Sequence, residues 1–169
     1  MDLCTKEINR LVRHEKFVGA FPCNSIPNGL RPPFAIIINT DRDDQPGSHW
    51  IAINVTNNGH GEYFDSFGWP PMVEDVSKFL QDLDCCFCYN TSMIQHVGSV
   101  CCGHFAVGFV LSRLSGIGFE EYISNFVTDK LKFNDFIVIE YNSKFLRKKY
   151  KKYYKNRAKL LKFDHLKCF

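Results

Sequence analysis

No apolar run in this chain reaches the roughly 18–20 residues that a membrane span requires. Its N-terminus, Met1-Asp2-Leu3-Cys4-Thr5-Lys6-Glu7, lacks the basic-then-apolar pattern of a secretion signal. The expectation is a protein kept inside the cell, in nucleus or cytoplasm, with no membrane partner. There is no glycine-rich phosphate loop, since Gly116-Ile117-Gly118 has neither the lysine nor the third glycine. Cys85-x2-Cys88 stands without a second pair at zinc-finger spacing, so no metal site is expected, although His96, Cys101, Cys102 and His104 are also present. The eight cysteines therefore read as buried small hydrophobes or reactive thiols, not as a secreted disulfide framework. Repeats, low-complexity linkers and a second domain are also missing, leaving a single domain over 1–169.

One stretch lacks acid altogether. Between Lys144 and Lys162 stand ten Lys and Arg residues and no Asp or Glu, so the rest of the chain carries 11 basic against 18 acidic residues, about −7. A mildly acidic body with a basic C-terminal segment (144–162) follows. Tyr150, Tyr153, Tyr154, Leu160 and Leu161 are spaced to dock a helix on the body while its lysines face water. Alternatively Lys148, Lys149, Lys151 and Lys152 contact a DNA phosphate backbone.

What is present is a hydrophobic content of 45% with 16 phenylalanines, enough for a real core. Thr5 to Phe17 reads as a helix capped by Thr5, and 19–33, rich in Pro, Asn and Gly, as irregular surface. Strands are expected at Phe34–Asn39, His49–Thr56, Glu62–Asp65 and Cys85–Tyr89. Asn57 to Gly61 forms a hairpin loop. Helices are expected from Pro70-Pro71 through Leu83, from about Val100 to Leu114, from Phe119 to Phe126, and from Phe133 to Lys162.

Within this frame four residues make an ordered constellation. His49 opens a strand after Pro46-Gly47-Ser48, Asp65 follows sixteen residues later, and Gln95 precedes Cys102-Gly103 by seven. Acyl transfer by a thiol needs this set: a nucleophile, a base, a residue that orients the base, and an amide for the oxyanion. Cys102 at a helix onset has backbone N–H groups and the positive dipole end to favour a thiolate. Cys101 competes for that role, and Gly103 after Cys102 leaves room for a substrate backbone. His49 would be the general base and then the acid, Asp65 its orienter, and Gln95 an oxyanion donor. Glu62 rivals Asp65, but the two point to opposite faces of one strand, so only one can serve. The order His, acid, Cys excludes a papain-type arrangement.

His49-Trp50-Ile51-Ala52-Ile53, Tyr63-Phe64-Asp65-Ser66-Phe67-Gly68 and Gln95-x6-Cys102-Gly103-His104-Phe105 resemble the adenovirus protease (adenain) family and the related proteases of SUMO and other ubiquitin-like proteins. The resemblance spans Phe17 to Leu114, about 60% of the chain, and includes Ile38-Asn39-Thr40 and Pro46-Gly47. It implies an α+β fold with a central mixed β-sheet flanked by helices and the nucleophile at a helix N-terminus. His49, Asp65 and Cys102 would form the triad, Gln95 would line the oxyanion hole, and Trp50 would wall a channel for glycines beside the scissile bond. The implied activity is a monomeric cysteine endopeptidase maturing virion precursors at glycine-containing sites, with an intracellular location and packaging in virions. Removal of ubiquitin-like modifiers from host proteins is the alternative, and a non-catalytic DNA-binding or scaffold protein a third. The chemistry needs no cofactor, but the resemblance implies DNA and an activating peptide as partners, the peptide held through a thiol such as Cys85, Cys86 or Cys88. Two features depart from adenain: an Asp stands where it has Glu, as in SUMO proteases, and the C-terminal third does not match.

Overall fold

The computed structural model describes residues 3–145. The basic segment beyond Phe145, with Lys148, Lys149, Lys151 and Lys152, lies outside the described residues.

Five isoleucines, two alanines and few polar groups fill Phe34–Asn39 (β2) and Trp50–Val55 (β3). Every residue of both strands is buried, as expected for a sheet covered on both faces. They pair antiparallel from Phe34↔Val55 to Asn39↔Trp50. Phe17–Pro22 (β1) joins the outer edge of β2 in parallel, and Gly61–Phe64 (β4) pairs antiparallel with β3. Phe87–Tyr89 (β5) closes the other edge, parallel to β4, giving the order β1-β2-β3-β4-β5. The sheet is mixed and the fold is α+β.

The two-residue period of the strands divides the interior. On one face Ala35, Ile37, Ala52 and Phe64 meet the helix Cys102–Leu114 (α3), with Thr5–Leu11 (α1), Phe119–Ile123 (α4) and Leu131–Phe145 (α5) around it. Alanines at 35 and 52 let α3 lie close to the sheet. Its Phe105, Ala106, Val107, Phe109 and Val110 have no exposed surface, so α3 is apolar nearly all round and central. On the other face Ile36, Ile38, Ile51 and Ile53 meet the amphipathic helix Glu74–Asp82 (α2) through Val76 and Leu80.

Three local expectations change. The start of the segment expected to be irregular, 19–22, belongs to β1, an edge strand whose partner is distant in sequence and whose Pro22 sits at its end. Helix α1 ends at Leu11 and is preceded by Cys4, not Thr5; the Glu7 carboxylate accepts the Cys4 backbone N–H at 2.9 Å. Helix α2 begins at Glu74, after the Pro70-Pro71 pair, and the Ser77 hydroxyl donates to the Pro71 carbonyl at 2.8 Å.

Among the described residues no helix is long and apolar enough to cross a membrane, and no three His, Cys, Asp or Glu gather as a metal would need.

Candidate active site

The site forms where β3 begins, β4 ends and α3 starts. His49 precedes the first residue of β3 and Asp65 follows the last residue of β4, so an antiparallel pair brings together residues sixteen apart. His49 Nε2 lies 3.1 Å from Asp65 Oδ1, with the side chains 12% and 4% exposed. The same carboxylate oxygen accepts the Phe67 backbone N–H at 2.7 Å, which fixes the carboxylate toward the imidazole. The Phe67 ring stacks on His49 at 4.9 Å between centroids, and Trp69, 46% exposed, meets the imidazole edge-on at 6.4 Å. The imidazole is held by one hydrogen bond and an aromatic face.

Glu62, the rival carboxylate, is used elsewhere. It accepts from Asn54 Nδ2 at 2.9 Å and from Arg113 Nε at 2.6 Å. This buried pair ties β4 to α3 at the far end of the strand from His49. Asp65 alone of the two carboxylates touches the imidazole.

Cys102 is the first residue of α3, with Cys101 as the N-cap, and both are buried. Helix α3 packs on β3 so that its first turn abuts the first residue of the strand: a Cβ added at Gly103 would lie 3.2 Å from Trp50 Cδ1. His49 and Cys102 immediately precede these touching residues. The space beside Gly103 is shared with Leu3, whose Cβ would be 3.0 Å from that added Cβ. Trp50 is 4% exposed, and its indole N–H donates to the Leu3 carbonyl at 2.9 Å. Beyond Trp50 opens a cavity of about 340 Å³, lined also by Leu3, Asn39, Asp41, Pro46 and Gly47.

Gln95 is 1% exposed and its carboxamide is fixed at both ends. Oε1 accepts from the Ser66 hydroxyl at 2.6 Å, and Nε2 donates to the Ser99 carbonyl at 3.0 Å. Nε2 also lies 3.4 Å from the Ser99 hydroxyl. The Ile94 and Gln95 backbone N–H groups both donate to the Ser66 carbonyl, at 2.9 and 3.0 Å, locking this loop to the one that carries Asp65.

Burial pushes the Cys23, Cys85 and Cys88 thiols up, with the carboxylates of Asp75, Asp84 and Glu62 respectively adding to it; Cys86 also raises Cys85. Cys88 Sγ lies 3.5 Å from His60 Nε2 on the edge strand β5. These thiols are disfavoured as thiolates. Tyr63 is also pushed up, by burial and by Asp65.

His49 and Asp65 are thus paired where β3 begins and β4 ends, beside the start of α3 at Cys102. The chain is homologous to viral proteins of the SUMO-protease and adenain-like clan. It is 33% identical over 135 residues to a thiol protease of Acanthamoeba polyphaga mimivirus, a match covering 65% of this chain and 44% of that protein. It is 28% identical over 120 residues to a cysteine protease of African swine fever virus, covering 64% and 41%. In other isolates of that virus the matching protein is called SUMO-1 cysteine protease. The chain thus spans less than half the length of the curated relatives it matches. No protein-family model matches it. Among solved structures, the central domain of an uncharacterized Legionella pneumophila protein shares the fold, with a TM-score of 0.53 at 12% identity over 95% of this chain and 97% of that one.

Proposed function

We propose that the chain is a cysteine endopeptidase in which Cys102 attacks, His49 moves the proton, Asp65 orients His49 and Gln95 stabilises the oxyanion. The observation that carries this is the 3.1 Å pair between His49 Nε2 and Asp65 Oδ1. With Nε2 directed at the carboxylate, Nδ1 is the nitrogen left to exchange a proton with a thiol. Sγ bonds to the scissile carbonyl carbon, and the C–N bond breaks as His49 gives its proton to the leaving amine. Water, deprotonated by the same imidazole, then splits the thioester to a carboxylate and restores the thiol. The charge that develops on the carbonyl oxygen meets the Gln95 amide and the backbone N–H of Cys102 at the start of α3.

The substrate is a polypeptide with glycine next to the scissile bond, admitted through the cavity that Trp50 lines. Maturation of virion precursors inside an infected cell is the role we assign, with the protease acting as a monomer. DNA bound through Lys148, Lys149, Lys151 and Lys152 and an activating peptide are its proposed partners. A second reading, cleavage of ubiquitin-like modifiers, is favoured by the name SUMO-1 cysteine protease carried by African swine fever virus relatives. Cleavage of short glycine-containing peptides should be compared with cleavage of whole ubiquitin-like fusions. Efficient cutting of the short peptides supports precursor processing. Cutting of the fusions alone supports the second reading, and cutting of neither by a folded protein contradicts both.

A further inference from the structure

We propose that Ser99 and Asp135 are positioning residues that hold the oxyanion loop and the nucleophile turn in register through α5; this rests on the roles of Gln95 and Cys102 given above. Ser99 is the point where the parts of the site meet. Its hydroxyl donates to Asp135 Oδ1 at 2.8 Å and accepts the Cys101 backbone N–H at 3.1 Å. Its carbonyl accepts Gln95 Nε2 at 3.0 Å, with the hydroxyl 3.4 Å from the same nitrogen. Its own N–H donates to the His96 carbonyl at 2.8 Å.

A hydroxyl rotates freely about its C–O bond and has one proton. The ionised carboxylate of Asp135 fixes where that proton goes, because a charge-assisted bond outweighs a neutral one. The lone pairs are then turned toward Cys101 N–H, the peptide group just before Cys102. Asp135 thereby acts on two groups it does not touch, the Gln95 amide and the entry to α3.

The neighbouring residue strengthens the case. Asn134 Nδ2 donates to the Ile94 carbonyl at 2.8 Å, immediately before Gln95, and to the Val127 carbonyl at 2.7 Å, while its Oδ1 accepts the Val127 N–H at 3.0 Å. Two turns along α5, Asn142 Nδ2 donates to the His104 carbonyl at 2.8 Å in the first turn of α3. One helix thus grips the loop at Ile94 and at Ser99 and the nucleophile helix at His104. These three contacts span 36 to 40 positions, whereas the bonds of Ser99 to Gln95, His96 and Cys101 are local, so α5 ties the loop to a distant part of the fold.

The test uses the full chain and a short glycine-containing peptide, measuring kcat, KM and the melting transition. Ser99→Ala and Asp135→Asn are each expected to lower kcat roughly 10–100-fold, the cost of a site displaced by about 1 Å. KM should stay within about twofold, since the loss falls on the transition state. Ser99→Thr, which keeps the hydroxyl, should retain most of kcat. The double variant should be little worse than either single one, because both remove one linkage. Normal kcat in a folded Asp135→Asn, or loss of the melting transition in both single variants with Ser99→Thr also inactive, overturns the proposal. Cys102→Ala serves as the control: residual turnover there would instead overturn the assignment of the site itself.

Discussion

Asn90 brackets Asp65 from both sides. Its Oδ1 accepts the Asp65 backbone N–H at 3.1 Å and its Nδ2 donates to the Asp65 carbonyl at 2.6 Å. Strand β5 ends at Tyr89, paired in register with Tyr63, so the β5 ladder stops short of Asp65. The side chain of Asn90 supplies the ladder step that the strand lacks, and holds the carboxylate residue at the mouth of the site. Asn90→Ala is expected to fold and to lower kcat roughly 10-fold through a looser Asp65. Unchanged kcat would show that Asp65 is held without it.

The two carboxylates of β4 and its exit should separate cleanly by mutation. Asp65→Asn keeps the shape but removes the partner that orients His49, and kcat should fall roughly 10²–10⁴-fold with the melting transition intact. Glu62→Gln leaves Arg113 without its charged partner, so stability should fall by about 2 kcal/mol while the folded enzyme keeps its kcat. Steady-state kinetics beside thermal melts decide it, and the opposite pattern would hand the orienting role to Glu62.

Alkali offers a check on the packing around α3. The Tyr122 hydroxyl donates to the Phe105 carbonyl at 2.8 Å, and burial pushes its phenol well above the ordinary range; Tyr63 and Tyr141 are also raised, chiefly by burial. A raised phenol stays protonated in the folded state while the unfolded chain loses its proton from about pH 10. The native state then binds more protons, so stability falls as pH rises. The melting temperature should not drop on this account below about pH 10 and should decline above it. Tyr122→Phe should make that decline shallower, and an identical alkaline slope would remove Tyr122 from the account.

The C-terminal basic segment makes a separate prediction about DNA. If roughly 4–6 of its cations reach phosphates, log K against log salt should slope by about −0.9 per contact on duplex DNA, with little dependence on sequence. Charge reversal at Lys148, Lys149, Lys151 and Lys152 should weaken binding and spare peptide cleavage measured without DNA. Absence of binding at about 50 mM salt, where phosphate contacts are strong, would contradict the DNA proposal.

The parts of this fold legible in the sequence are those with local causes. Phe34–Asn39 is a continuous apolar run and forms β2 with those limits, and the apolar helix after Gly98-Ser99 begins at Cys102. His49 and Asp65 could be paired in advance because a hairpin joins their strands. β1 was hidden because Gly19 and Pro22 resemble loop residues and its support comes from pairing with β2, beyond any local window. Asn90, Ser99 and Asp135 gave no signal of their own: each acts through a hydrogen bond to a residue 25 to 36 positions away, or to a backbone group that carries no side-chain identity. Phe67 lies in the run Tyr63 to Gly68, yet its stacking on His49 depends on the turn after β4 and not on spacing.

The central claim is that Cys102 is the nucleophile, and competitive alkylation tests it most directly. Burial and neighbouring carboxylates push the Cys23, Cys85 and Cys88 thiols up; Cys102 is buried too, but it stands at a helix onset, where backbone N–H groups favour a thiolate. Iodoacetamide at pH about 6–7, read by peptide mass mapping alongside residual activity, should modify Cys102 first, with activity lost in proportion. Cys102→Ala should be inactive and Cys101→Ala should keep most of its turnover. First labelling at Cys101, with an active Cys102→Ala, would contradict the account.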